Sequence, residues 1–428
     1  MKVAVIGGGY AGMAAAVTLA EHGVPVTVFE AGKTLGGRAR RIEHRALELD
    51  NGLHILVGAY RETLRLMRLV GADPHRQLLR LPFTWHIHER FSFRAGSLPA
   101  PLHLPAGLLA ARGVSLGERL GAARFLLAMR RARFRLPRDT SVASLLAHER
   151  QGVALTRWLW RPLCVSALNT PPESASAQVF LNVLRDSLSA ERGASDILLP
   201  RADLSRLFPE PAGAWVRTRG GSVQTGQRVT AIDATAGAYA IRHTTAEETF
   251  THVICALAPH HVKQLVAGIP PLAEVTGKLD RYEYQPIYSV YLQYPGDVRL
   301  AAPMLGFDSA LMQWAFDRGA LCGQRGLIGV VISAKGMHQE HSHPELALLV
   351  HQELQQQIGQ LPSPAWFQVV SEKRATFACV PGLERPENRT PLENFYLAGD
   401  YTAGDYPATL EAAVRSGVGA ARLVLGAA

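Results

Sequence analysis

The chain has 428 residues, 47% apolar and 19% charged, which is too long for one core of ordinary size and too apolar for extended disorder, so two linked domains are expected. Its formal charge of +9 is carried mainly by arginine, and eight arginines with one acid, Glu118, fall between Arg112 and Arg138; no nucleic-acid recognition motif accompanies them, which argues against a nucleic-acid reader and favours an anionic membrane surface. Cys164, Cys255, Cys322 and Cys379 lie far apart without metal-ligand spacing, predicting free thiols in a reducing compartment. No run reaches the roughly 18 apolar residues of a membrane span, and the apolar start is too short for a secretory signal; a cytoplasmic protein, soluble or peripheral, is expected.

In chain order, Lys2 to Ile6 reads as a parallel strand buried on both faces. It runs into Gly7-Gly8-Gly9-Tyr10-Ala11-Gly12, with Gly7, Gly9 and Gly12 at the three positions where missing side chains allow a tight turn, close approach of a diphosphate, and helix-to-strand packing. The Ala- and Leu-rich stretch from Ala11 to His22, closed by Gly23, reads as a helix whose N-terminus can hold a diphosphate. A second strand, Pro25 to Glu30, ends in an acid placed to bind an unphosphorylated ribose, with Ala31 beside it. Together these predict a Rossmann-like dinucleotide site at the N-terminus.

Lys33 to Ala39, with Gly36, Gly37 and Arg38, resembles the second glycine motif of the flavin-containing amine oxidase and carotenoid desaturase superfamily. The resemblance implies FAD, held non-covalently, with the glycines along it and Arg38 near its diphosphate or flavin. Asp50-Asn51-Gly52-Leu53-His54 resembles the superfamily segment that returns beneath the flavin ring, with Asn51, Gly52 and Leu53 against it and His54 either a proton donor or a core histidine. Gln227 to Ile232 reads as an alternating strand, where the resemblance gives Val229 to the adenine, and Val253 to Pro259 as another buried strand. Phe395 to Asp400 and the helix opening at Pro407 complete the pattern: the resemblance implies Gly399 and Asp400 at the ribityl chain, and Thr409, Leu410 and Ala413 at the pyrimidine edge, where a helix N-terminus stabilises an anionic reduced ring.

The resulting fold expectation is α/β with an α+β second domain: a Rossmann-like FAD-binding domain from residues 1–80, 201–270 and 386–428, interrupted by a discontinuous substrate domain from 81–200 and 271–385. Within the substrate segments, Val57 to Thr63, Leu163 to Pro172, Val179 to Leu184 and Leu198 to Leu204 resemble the bacterial squalene-associated FAD enzymes, the hydroxysqualene dehydroxylase family. Leu53 departs from the polar residue expected there. The resemblance implies reductive removal of the hydroxyl of hydroxysqualene to give squalene, with an electron donor that the sequence does not identify.

A long isoprenoid needs an apolar site, for which Trp158, Trp160, Phe180, Tyr288 and Tyr291 are candidates alongside the plainer reading of ordinary core. Leu120, Phe125, Leu126, Leu127 and Met129, interleaved with Arg124, Arg130 and Arg131, suggest an amphipathic helix on anionic lipid. His54, Asp50, Tyr406, Asp405 and Glu173 are candidates for the acid that the departing oxygen needs. The rivals are a carotenoid-type desaturase or isomerase, an amine oxidase, disfavoured by the setting of Cys379, and a non-catalytic prenyl-lipid escort.

Overall fold

The apolar opening run forms β1 (Val3–Ile6), buried at every residue, in a computed structural model that describes residues 1–187, 191–235 and 237–426. A strand dry on both faces belongs inside a parallel sheet, and β1 is the middle of five. The chain returns through α1 (Tyr10–Glu21) to β2 (Val26–Glu30). Eleven of the twelve α1 residues are buried, which explains an all-round apolar composition in place of an amphipathic stripe. A Cβ at residue 12 would stand 1.9 Å from the Gly7 carbonyl oxygen, so α1 can lie this close to β1 only with glycine there.

The chain then crosses to a second layer through the strands Thr84–Ile87 and Phe91–Arg94, α2 (His103–Leu109) and α3 (Leu116–Arg131). It comes back at β3 (Ser222–Thr225) and β4 (His252–Cys255), leaves again for β5 (Tyr284–Gln293), β6 (Leu327–Ser333) and β7 (Trp366–Phe377), and ends with β8 (Phe395–Leu397) and α4 (Leu410–Val424). The first sheet has the order β3-β2-β1-β4-β8, with every pairing parallel. The second has seven strands, β7-β5-β6 followed by Trp314–Asp317, Met304–Gly306, Thr84–Ile87 and Phe91–Arg94. It is antiparallel except where Gly306 meets Ile87.

Two features differ from the sequence reading. The edge strand of the parallel sheet is Ser222–Thr225, and the strand expected from Gln227 starts at Val229 in a separate three-stranded antiparallel sheet. Gly226, at φ +72°, makes the break, its N–H donating to the Gly32 carbonyl. In α3, Phe125, Leu126 and Met129 face the core instead of an outer surface. Trp160, Phe180, Tyr288 and Tyr291 are likewise core residues, and the plainer reading holds for them.

Within the second layer, one helix is clamped to the ends of two strands. Asn169, in the left-handed region at φ 46°, ends the helix Arg161–Leu168. Its Oδ1 accepts from the Ala334 amide at 2.8 Å while its Nδ2 donates to Thr376 Oγ1 at 3.0 Å. A short polar side chain is suited to this conformation, and here it also joins one helix to the ends of β6 and β7.

Candidate active site

A cavity of about 990 Å³ opens where β1, β2, β4 and β8 end against the second sheet, the crevice outside strand C-termini where open α/β sheets take ligands. One part of it is polar and built largely from backbone. Gly9 bridges Gly36 in strand-like fashion, and the Gly36 amide donates to the Gly8 carbonyl at 2.9 Å, so the two glycine motifs lie side by side. Gly36 and Gly37 have φ of +125° and +62°, backbone that other residues adopt only under strain. Glu30 accepts from the amides of Gly8 and Gly32, both at 2.7 Å, and holds the turn against β2. Gly7, Gly9, Tyr10, Ala11, Glu30, Ala31, Gly36, Gly37 and Arg38 all line the cavity; Gly12 does not, and works through packing. Tyr10 sends its hydroxyl away to the Leu204 carbonyl at 2.8 Å, so its backbone is what faces the site.

From the far end of the chain, β8 delivers Gly399 and Asp400, and the Asp400 carboxylate pairs with Arg38 at 2.6 Å. Burial works against the Arg38 charge, but Asp400 more than offsets it and raises the guanidinium above its ordinary value. Thr409 caps α4 by accepting from the Ala412 amide at 3.1 Å, and Thr409, Leu410 and Ala413 line the wall. That helix start is anchored by Glu411, fully buried, which accepts from the amides of Glu62 and Thr63 and from the Thr63 hydroxyl. No local pattern in the sequence marks this anchoring role, because the Glu62 and Thr63 groups it accepts from lie some 350 residues earlier.

Between the layers runs the segment Asn51 to His54. Asn51 Oδ1 accepts from the Arg40 amide, and the Leu53 amide donates to Ser289 Oγ on β5. His54 lines the cavity and its Nδ1 lies 2.8 Å from the Gly52 carbonyl. A carbonyl only accepts, so Nδ1 carries the proton of the neutral ring and Nε2 is left to take another. Burial pushes the imidazole below its ordinary value, the Gly52 carbonyl opposes this, and the Arg38 charge adds to it.

Four of the five acid candidates are placed elsewhere. Asp50 is 2% exposed and absent from the cavity wall; its carboxylate meets Arg318 at 3.2 Å and accepts from the Leu204 amide at 2.8 Å. Burial raises it to about 6 against the pull of Arg318. Its carbonyl also accepts from Tyr291 Oη at 2.7 Å, so Asp50 is a fastening behind the Asn51 to His54 segment and not a proton donor in the cavity. Tyr406 donates to Asp186 and lies under the Arg415 guanidinium, also off the cavity wall. Asp405 pairs with Arg185 and Glu173 with Arg161, both on the surface.

An apolar part of the wall combines Ile287, Trp314, Phe316 and Val331 from the second sheet with Leu53 and Ile55 from the segment between the layers, beside the polar Ser166, Asn169, Ser333 and Thr376. Trp314 and Phe316 point the same way because they are two apart on one strand. Trp314 Nε1 donates to Ser166 Oγ at 2.8 Å, and its ring meets Trp85 edge-on at 4.6 Å. Their period-two spacing was the available signal, whereas nothing local says that this face is the one turned to the cavity. Val229 lines the opposite end, and Tyr60, His260 and Gln264 join the wall without having been foreseen. His260 Nδ1 is buried with no hydrogen-bond partner among the described residues. Burial first, then His261 and two arginines, push His260 down to about 4.

A backbone-lined dinucleotide cleft closed by a second sheet with an apolar wall defines the class of flavin-dependent oxidoreductases. The chain belongs to the family of flavin containing amine oxidoreductases, whose model matches residues 10–425. It is similar to the hydroxysqualene dehydroxylase of Rhodopseudomonas palustris, 30% identical over 443 aligned residues covering 99% of this chain and 98% of that protein, in agreement with the resemblance read from its motifs. A 15-cis-phytoene desaturase of Arabidopsis thaliana is 26% identical over 97% of this chain and 78% of its own length. Among solved structures, an oxidoreductase from Methanosarcina mazei superposes over the whole of both chains with a TM-score of 0.76 at 16% identity, which shows the shared α/β fold with its mixed second sheet. No helix among the described residues is long and apolar enough to cross a membrane.

Proposed function

We propose that the chain binds FAD non-covalently in this cavity and removes the hydroxyl of hydroxysqualene reductively to give squalene. The observation that carries the reading is the division of one cavity into a backbone-lined polar part and an apolar, aromatic part with His54 on the wall. The cradle fits the cofactor: side chains are missing at Gly9, Gly36 and Gly37, where the backbones run alongside one another, and no cysteine lines the cavity, which favours an unattached flavin. Tyr10 and Ala11 at the start of α1 would face the diphosphate, Glu30 and Ala31 the ribose, and Val229 the adenine. Arg38 and Asp400 would meet the ribityl region, Asn51, Gly52 and Leu53 the ring, and Thr409, Leu410 and Ala413 its pyrimidine edge. The start of α4 presents the positive end of a helix to that edge.

Bound there in reduced form, the flavin supplies a hydride. The substrate's C–O bond would break with its electron pair on oxygen, which takes a proton and departs as water, leaving the allylic carbon to be closed by the hydride that a bound reduced flavin would supply. His54 is the proton carrier in this reading: protonated at Nε2 and held by Gly52 through Nδ1, it hands its proton to the oxygen. Trp314 and Phe316 exclude water and turn π surface toward cationic character at the carbon. The reducing equivalents would come from a separate electron donor. The relatives named for hydroxysqualene and for phytoene support an apolar isoprenoid as substrate.

The test is anaerobic. Flavin in the purified protein is reduced with dithionite, hydroxysqualene is added in detergent, and flavin absorbance and squalene are followed together. Reoxidation with one squalene per flavin is expected. Reduced flavin that persists without squalene, together with bleaching of the oxidised enzyme by phytoene, would replace the proposal with a desaturase.

A further inference from the structure

Among the described residues eleven large apolar side chains are strongly exposed, and six of them, Leu98, Leu102, Leu109, Leu116, Leu120 and Leu127, fall within one stretch of thirty residues spanning α2 and α3. Scattered singly they would need no explanation, but a contiguous group does. On α3 the exposed positions Leu116, Leu120, Arg124, Leu127 and Arg131 are spaced four, four, three and four apart, which is one stripe along the helix. Gly121, Ala122, Phe125, Leu126 and Met129 occupy the opposite face and are buried. The stripe is therefore an outward surface of leucine and arginine on a helix already fixed to the body of the protein.

Charge selects its partner. The one acid of α3, Glu118, is taken up by the Ser115 cap and by the amides of Ala154 and Leu155, leaving the stripe and its flanks, Arg130, Arg133 and Arg135, without an exposed carboxylate on that helix. Arg119 staples the two helices by donating to the carbonyls of Leu109 and Val114, so the end of α2 that carries Leu109 is held against the start of α3. Behind it, Phe125 packs edge-on against Trp160 at 5.3 Å, within the same apolar cluster as Trp85, Trp314 and Phe316. The outer face thus backs the layer that forms the cavity's apolar wall.

We propose that the α2 and α3 face docks on an anionic lipid bilayer, the leucines entering the acyl boundary while Arg124 and Arg131 reach lipid phosphates. It holds whatever the substrate of the cavity is. A second copy of the chain fits poorly, because the stripe would bring arginines against arginines. The test is flotation of the flavin-loaded full chain with vesicles of phosphatidylcholine, alone or mixed with phosphatidylglycerol. Binding to the mixed vesicles is expected, weakened by salt. Leu116→Ser/Leu120→Ser/Leu127→Ser should cut the partition at least about ten-fold, and Arg124→Gln/Arg131→Gln should cut it roughly five-fold per arginine on anionic vesicles only. Flavin content per chain checks that each variant folds, and Leu120→Trp, a change at an exposed site, should shift its fluorescence to the blue when anionic vesicles are added. No vesicle binding by the parent, unchanged binding by both variants, or a leucine-dependent dimer whose loss leaves vesicle binding intact would each overturn the proposal.

Discussion

The two parts of the cavity are made in opposite ways. On the parallel-sheet side the wall is mostly backbone at Gly7, Gly9, Gly36, Gly37 and Gly52, and what matters is the absence of side chains. On the other side it is side chains, Leu53, Ile287, Trp314, Phe316 and Val331, aimed by strands that pair over long distances. The first construction has little room to spare: a Cβ at Gly7 or Gly36 would stand 2.6 or 2.4 Å from a backbone carbonyl oxygen. The second is distributed, so any one member can change at moderate cost. His54 sits on the segment that hydrogen-bonds to both sides, and that segment is where the comparison can be broken most severely.

The largest stability effect is expected behind it. Asp50→Ala leaves Arg318, 3% exposed, without its partner, and removing one member of such a buried pair costs about 3–5 kcal/mol. Denaturant unfolding measures it, and the double change Asp50→Leu/Arg318→Met should recover much of the loss. Were Asp50→Ala neutral, the segment would not depend on this fastening. On activity, His54→Gln should lower turnover about 10²- to 10⁴-fold with flavin content unchanged, the usual range for losing a general acid. Because burial holds the imidazole below its ordinary value, the parent's rate should rise as pH falls below neutrality, and that dependence should vanish in the variant. A drop under three-fold would leave His54 a core histidine.

Gly12→Ala comes next and sharpens the contrast directly. The new methyl would meet the Gly7 carbonyl oxygen, an overpacking expected to cost about 1–3 kcal/mol and most of the bound flavin, read from absorbance per chain. By contrast Phe316→Leu on the apolar wall should keep its flavin and lose substrate affinity; equal flavin loss in both would erase the distinction between the two sides. The smallest effect concerns His260, held to about 4 in the fold against 6.5 ordinarily. Its unfolded form binds the proton more readily, so its contribution to stability is present above pH 6.5 and is lost as pH falls from there toward 4. Melting temperatures at pH 7 and pH 5 should differ less in His260→Gln than in the parent.

The leucine and arginine segment shows how the sequence and the structure divide the work. Its composition announced a basic amphipathic helix, and the helix is there, but the apolar residues that seemed to face lipid were of two kinds. Phe125, Leu126 and Met129 pack inward, whereas Leu120 and Leu127 point out and are joined there by Leu116, which the composition had not singled out. Periodicity says that a helix has faces; it does not say which face the remainder of the chain will cover.

The sequence by itself determined the backbone-built half of the cavity. The glycines, the acid at the end of β2, the Gly-Asp after β8 and the cap of α4 are short-range patterns in which residue type dictates backbone geometry within a few positions, and for that reason their order along the chain carries the information. The tertiary structure alone decided the other half: that Asp50 turns to Arg318 and away from the cavity, that Tyr406 belongs to Asp186, that Trp314 and Phe316 form the wall while Trp160 and Tyr291 remain core. Each depends on register between segments some tens to hundreds of residues apart, where a shift of one position turns every strand side chain to the opposite face, and no local pattern encodes that choice.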